Sequence, residues 1–242
     1  ALCREWQATH LNGVPLLAAR LAADSEGAAL LRALRGGIVG GAPISAPLAA
    51  FLKTTRLQVG YGQTEASPGI CLGAPGEWHA NYLGNPIGCT TRIDDVGVLH
   101  FQGANACIGR WQNGFIPLDP DRWVATGDIV EERPAGLFFR GRVDDAFKMA
   151  NGRFVYAGFW ESKLKEALPD LEDAVLFRRP NDTLVIALTG SGRSVTPNLS
   201  SLRSVLGGLG AYLHEVHYIP PEAWHVTPKG SPDRARIAAQ TG

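Results

Sequence analysis

Apolar residues recur at helical spacing between Gly13 and Leu34, at Leu16, Leu17 and Leu21 and again at Leu30, Leu31 and Leu34. This spacing predicts two helices, the second opened by Ser25 and Glu26. Ile38-Val39 reads as a short buried strand that runs into Gly40-Gly41-Ala42-Pro43, after which Ser45-Ala46-Pro47 opens a helix reaching Lys53. Leu57 to Tyr61 is the next strand, and it ends in the loop Gly62-Gln63-Thr64-Glu65. Residues 1–75 are therefore expected to be α/β with loops at strand ends, where open α/β sheets hold ligands. Beyond Pro75 the pattern shortens to strands at 97–101, 123–126, 129–132 and 137–140, which predicts a mainly antiparallel β segment over 76–143 closing into a small barrel. From Asp144 the order becomes hairpin (147–156), helix (160–168), strands (174–177, 183–189), helix (199–206) and strand (215–219), a compact α+β domain over 144–242.

Composition narrows the class. With 242 residues, 45% hydrophobic and 19% charged, the chain can bury a core and is not a disordered segment. Lys+Arg 23 against Asp+Glu 23 leaves no electrostatic footprint for a polyanion, so nucleic acid is not an expected partner. Cys3, Cys71, Cys89 and Cys107 form no CxxC pair and read as ordinary thiols of a reducing compartment, which predicts a cytoplasmic location. No apolar run approaches the ~18 residues of a spanning helix, and the first residues carry no signal-peptide pattern, so no membrane partner is expected. The first residue is not Met, from which the sequence reads as a piece of a longer chain. Gly 29 and Pro 16 predict many tight turns.

Several short stretches could carry chemistry. Tyr61-Gly62-Gln63-Thr64-Glu65 puts an aromatic ring, a hydroxyl and a carboxylate beside a glycine that lets backbone approach a ligand; it suits a phosphate on Thr64 and a hard cation on Glu65, and equally a helix cap. Thr126-Gly127-Asp128 offers a carboxylate for two ribose hydroxyls, or an everyday turn. Gly141-Arg142-Val143-Asp144-Asp145 sets a cation and two carboxylates after a strand, or a surface ion pair. His214-Glu215-Val216-His217 lacks the helical zincin spacing and reads as strand, and Gly207-Gly208-Leu209-Gly210 reads as a helix C-cap.

Taken in order, Gly40 to Pro43, Tyr61 to Glu65, 97–103, Thr126 to Asp128, Gly141 to Lys148, and Gly152 with Glu161 resemble the successive core motifs of the adenylate-forming superfamily of acyl- and aryl-CoA synthetases, luciferase and peptide-synthetase adenylation domains. The resemblance runs from about Thr9 to Arg234. It implies the second half of a large α/β domain with its small β-barrel, followed by a mobile C-terminal α+β domain. It implies that Gly40, Gly41, Ala42 and Pro43 line adenine with Tyr61 and Gly62 beside it, and that Thr64 contacts the α-phosphate. Glu65 would hold Mg²⁺, Asp128 would accept the ribose hydroxyls, and Arg142 would support ribose or phosphate. Asp144 falls at the hinge, while Lys148 and Gly152 lie on the loop of the thioester-forming pose. His10, Asn12 and Gly13 precede a Val-Pro that in relatives begins a helix beside the acyl pocket, a weak pointer to a small or aromatic acid. The implied cofactors are ATP/AMP and Mg²⁺, with CoA or a phosphopantetheine carrier as acceptor and a small carboxylic acid as substrate.

Two departures matter. No GxxxxGK or TSGTTG-like phosphate loop occurs in the sequence. The family's Thr-x-x-Gly-Lys-x-x-Arg ending becomes Thr227-Pro228-Lys229-Gly230-Ser231-Pro232-Asp233-Arg234, with Ser231 at the lysine position and Lys229 two residues away. Three readings follow: the C-terminal half of an AMP-forming acid–thiol ligase that needs a separate chain, or a homo-oligomer, to supply the rest; a degenerate AMP or acyl-adenylate binder that keeps at most thioester transfer; and a scaffold without ligand, against which Thr64, Glu65, Asp128 and Arg142 argue together.

Overall fold

A computed structural model of the chain describes residues 2–168, 170–190, 198–228 and 230–242. In chain order the elements are α1 (Leu2–Glu5), α2 (Pro15–Ala22), α3 (Ser25–Ala33), β1 (Ile38–Gly40), α4 (Ala46–Leu52), β2 (Gln58–Gly62), β3 (Gly69–Leu72), β4 (Tyr82–Pro86), β5 (Thr90–Ile93), β6 (Val98–Gln102), β7 (Gly109–Trp111), β8 (Phe115–Pro117), β9 (Val124–Arg133) and β10 (Gly136–Arg142). There follow β11 (Ala146–Lys148), β12 (Phe154–Tyr156), α5 (Ala157–Ala167), β13 (Asp173–Arg178), β14 (Leu184–Thr189), α6 (Leu199–Leu206), β15 (Leu213–Tyr218) and α7 (Arg234–Gln240). The contacts divide into two units, Ala1–Phe139 and Arg140–Gly242. The sequence places its division at Asp144; the contacts divide inside β10, whose outer end already belongs to the second unit.

The first unit is built on an eight-stranded sheet of order β1-β2-β3-β4-β10-β9-β6-β5. Only β1 and β2 pair in parallel, and the antiparallel strands continue the same sheet, so the separate small barrel expected over 76–143 is an open run ending at β5. Helices α2, α3 and α4 cover one face. Ala18, Leu31, Leu48 and Leu52 pack there on Val39, Val59, Trp78 and Tyr82, and each such large side chain contributes about 1.5–3 kcal/mol by leaving water. α3 starts at Ser25 as the spacing predicts, and its cap is Asp24, whose Oδ2 accepts the Gly27 N–H at 2.8 Å. Ile38 is 40% exposed, not buried as the apolar run suggests, because it points away from those helices. The separate strands expected at 123–126 and 129–132 are one strand, β9, with Gly127 at φ 76° inside it.

In the second unit β14 lies between antiparallel β13 and parallel β15 and is buried along its whole length. Its residues alternate: Leu184, Ile186 and Leu188 face Leu164, Leu202 and Leu206 of α5 and α6, while Ala187 faces Ile237 of α7. α5 starts at Ala157 rather than Trp160, and Trp160 packs half-buried against this core. Among the described residues no helix is long and apolar enough to cross a membrane.

Candidate active site

Three backbone segments of the first unit reach one edge of the sheet side by side. The segment carrying His10 and Gly13 bridges β1 in parallel, at His10↔Gly36 and Gly13↔Val39, and β1 pairs with β2 at Gly40↔Gly60. The Gly13 N–H donates to the Ile38 carbonyl at 2.9 Å and the Gly40 N–H to the Gly13 carbonyl at 3.1 Å. Parallel strands end on the same side, so Gly13, Gly40 to Pro43 and Tyr61 to Glu65 gather at their carboxyl ends. The chain then enters α2, α4 and a single 3-10 turn, Thr64–Ala66.

Asp128 joins this group from β9. The Tyr61 hydroxyl donates to Asp128 Oδ2 at 2.7 Å, the Asp128 N–H donates to Thr126 Oγ1 at 3.1 Å, and the Thr126 hydroxyl donates to the Leu99 carbonyl at 2.8 Å. Asp128 is 7% exposed and Thr126 4%. Burial first, and the Asp128 charge second, hold the Tyr61 phenol well above the usual range, so it remains a protonated donor. Thr64 and Glu65 are exposed at the loop tip. The Glu65 carbonyl accepts the Cys107 N–H at 2.8 Å, which anchors that tip to the segment after β6.

Glycines here serve the chain's own packing as well as any ligand. A Cβ at Gly62 would overlap the Pro68 carbonyl oxygen and one at Gly40 the Gly60 carbonyl oxygen, so close backbone approach fixes both. Gly41 differs: it sits at φ 88° with its nearest neighbour, Val14 Cγ1, at 3.8 Å from a built Cβ.

One surface was not legible as a site. Register puts Gly36, Ile38 and Gly40 of the β1 segment and Gln58 and Gly60 of β2 on the sheet face opposite the helices. The Ile38 side chain lies where a Cβ at Gly60 would be, and the His10 ring lies within 3.1 Å of one built on Gly36. The result is a backbone floor between His10 and Ile38. Glycines at same-face positions of two neighbouring strands, 36 and 40 in one and 60 and 62 in the other, were the available signal. Asn12 is exposed and supports this edge, its side-chain oxygen accepting the Ile38 N–H at 2.9 Å.

Mg²⁺ is implied by the motif resemblance, so the donor set bears on it. Among the described residues no three His, Cys, Asp or Glu side chains gather into a metal cluster. An exposed lone carboxylate such as Glu65 fits a cation held mainly by phosphate oxygens and water.

In the second unit Lys148 ends β11, exposed, with Nζ 5.5 Å from the Phe154 ring. Gly152, at φ 85°, closes the β11–β12 turn by donating to the Met149 carbonyl at 2.9 Å. The Ala150 N–H donates to Asp182 and the Asn151 amide to the Tyr212 hydroxyl, so this turn is pinned from two sides. Arg142 and Asp144 approach at 3.5 Å on the surface, with Asp144 82% exposed. The Ser231 carbonyl accepts the Thr227 N–H at 2.8 Å, closing a turn that brings Val226 beside Pro232. Lys229 lies outside the described residues.

Arg234 proves to be structural. Its Nη2 donates to both Glu161 oxygens at 2.6 and 2.5 Å, its Nε lies 3.2 Å from Asp145 Oδ1, and the Leu176 N–H adds a third bond to Glu161 at 2.6 Å. Burial pushes the Glu161 carboxyl up to about 7, with Arg234 and the Leu176 N–H pulling it back.

Comparison with known proteins agrees with this architecture. The family model for "AMP-binding enzyme" matches residues 1–101. Human long-chain-fatty-acid–CoA ligase 1 is 33% identical over 138 residues, 49% of this chain and 20% of that protein. Anthranilate–CoA ligase of Pseudomonas aeruginosa is 29% identical over 183 residues, 69% of this chain and 35% of that protein. The solved structure of E. coli MenE with a bound OSB-AMS analogue superposes with TM-score 0.77 at 21% identity, covering 97% of this chain and 52% of that one. The amide bond synthetase McbA of Marinactinospora thermotolerans gives 0.76 at 23% identity, with 99% and 53% covered. The chain thus spans about half the length of these solved relatives and a smaller share of the curated ligases.

Proposed function

Because this chain belongs to the adenylate-forming superfamily, we propose that it carries the adenylate- and acid-binding part of an AMP-forming acid–thiol ligase. The observation that carries this reading is the gathering of Gly40 to Pro43 and Tyr61 to Glu65 at one sheet edge, with Asp128 bonded to Tyr61. Adenine would lie against residues 40–43 beside Tyr61, and the ribose hydroxyls would donate to the Asp128 carboxylate. Thr64 would donate to the α-phosphate at the exposed tip. Mg²⁺ shared between Glu65 and phosphate oxygens would neutralise charge on the phosphoryl group. The acid would occupy the glycine floor between His10 and Ile38, where a flat aromatic acid can lie against backbone. Its carboxylate attacks the α-phosphorus with loss of pyrophosphate; a thiol of CoA or of a carrier then attacks the acyl carbon and releases AMP. In that second step Asp144 would be the hinge, with Arg142 beside it on ribose or phosphate, and the pinned turn carrying Lys148 and Gly152 would line the thiol's approach. The four free cysteines support a reducing, cytoplasmic setting.

Ser231 favours a second reading, an acyl-adenylate binder that has lost activation. Titration calorimetry with AMP, ATP and an acyl-sulfamoyl-adenosine tests both. AMP is expected to bind as tightly as ATP, because no residue here is proposed to grip the β- and γ-phosphates, and Asp128→Asn is expected to weaken each about tenfold. Failure to bind any adenylate ends both readings. Synthetic acyl-AMP mixed with CoA then shows whether thioester transfer survives, which both readings allow, and acid-dependent ATP–pyrophosphate exchange with a chain that carries a phosphate loop separates them: exchange supports the ligase, and none leaves the binder.

A further inference from the structure

We propose that the β7–β8 ribbon is a wedge that inserts into the interface of a lipid bilayer. The two strands form their own sheet and pair with no strand of the eight-stranded one. They join through Asn113 at φ 53° and Gly114 at φ 140°, and the Gln112 N–H donates to the Gly114 carbonyl. Register sets Trp111 opposite Phe115 on one face and Arg110 opposite Ile116 on the other, and the bond from the Leu118 N–H to the Ile108 carbonyl carries Ile108 onto that second face. Trp111 is 81% exposed, Ile108 75%, Phe115 54% and Ile116 40%. Both faces of the ribbon are therefore apolar and wet.

The chemistry selects the occupant. A flat protein partner covers one face of a ribbon and leaves the other in water, whereas a bilayer interface surrounds an inserted tip on both. The four side chains expose together about 500 Å², short of the ~800 Å² per partner of a stable protein interface. Between Ile108 and Pro117 the single ionisable side chain is Arg110, a cation suited to lipid phosphate, beside a tryptophan of the type that settles at headgroup level. The phenyl ring of Phe115 folds over Gly109, where any Cβ would overlap it, so the tip is a preformed shape. Association with a surface needs no spanning helix, and the described residues contain none; the proposal is independent of the ligase reading.

Flotation of the 242-residue chain tests it, with vesicles of phosphatidylcholine alone and with about a third phosphatidylglycerol added. Wild type is expected to float with both and more strongly with the anionic vesicles. The double variant Trp111→Ser/Phe115→Ser is expected to float about tenfold less with unchanged far-ultraviolet circular dichroism and melting temperature. Arg110→Gln is expected to remove only the anionic preference. Three results overturn the proposal: wild type that stays in the aqueous fraction with both vesicles, flotation that the double variant leaves unaltered, or sedimentation showing a dimer that the double variant abolishes, which would make a second copy the occupant.

Discussion

The Tyr61 hydroxyl is the residue-scale link between two motifs that lie 67 positions apart in the chain. Tyr61→Phe keeps the ring and removes the donor to Asp128, so a loss of about 1–2 kcal/mol in unfolding free energy is expected from denaturant titration. The pH dependence has a definite sign. An acid whose pKa is raised on folding stabilises the protein fully below its unfolded value and loses that contribution as pH rises above it. Wild type should therefore lose stability above pH ~10 faster than Tyr61→Phe does. Gly60→Ala probes the floor between His10 and Ile38. Its new methyl would overlap Cγ2 of Ile38, the branch methyl that χ1 fixes, so the Ile38 side chain must turn toward solvent at a cost of about 1–3 kcal/mol, while affinity for a bulky aryl-adenylate analogue falls. Residue identities at this edge were legible because the motifs are contiguous in sequence. Their reasons were less so: Gly62, read as room for a ligand, is held by the Pro68 carbonyl, which only the folded backbone brings near.

At the scale of elements, Arg234 ties four of them together. Standing at the first position of α7, it binds Glu161 on α5 and Asp145 in the 3-10 turn before β11, and Glu161 in turn accepts from β13. Arg234→Ala would leave the buried carboxylate without its cation and is expected to destabilise the second unit by about 3–5 kcal/mol. Glu161→Gln should behave differently, since the amide oxygen can still accept from Arg234 and Leu176. Burial raises the Glu161 pKa from 4.5 to about 7, so this group favours the fold below pH 4.5 and progressively less up to about 7. Melting curves of wild type should thus decline relative to Glu161→Gln across that window; equal slopes would mean that Arg234 keeps the carboxylate ionised throughout. Sequence pattern located α6 at its observed bounds, since its apolar stripe is regular and Asn198 caps it. It divided β9 in two because Gly127 reads locally as a turn, although cross-strand pairing with β6 and β10 holds that glycine within a strand. Pairing order across the sheet is set by contacts distant in sequence, and periodicity carries no trace of it.

For the whole molecule, what a site retains decides which half of a two-step reaction it can serve. Apart from Arg142, the residues proposed for adenine, ribose and α-phosphate lie in the first unit, while Ser231, which the motif resemblance aligns with the family's lysine, lies in a turn closed by the Thr227 N–H. A hydroxyl cannot replace an ammonium opposite developing phosphate charge, and removing one such electrostatic partner commonly costs about 10²–10³ in rate. Under the proposed reading, activation of the acid from ATP is therefore expected to be the deficient step and attack on a ready-made adenylate the preserved one. Ser231→Lys tests this division without touching the adenine edge. Supplied with a chain that carries a phosphate loop, the substituted protein should gain pyrophosphate exchange by about 10²-fold, with adenylate affinity unchanged. Equal exchange in both forms would show that the lysine position does not limit activation in this protein, and Lys229 would become the next residue to replace.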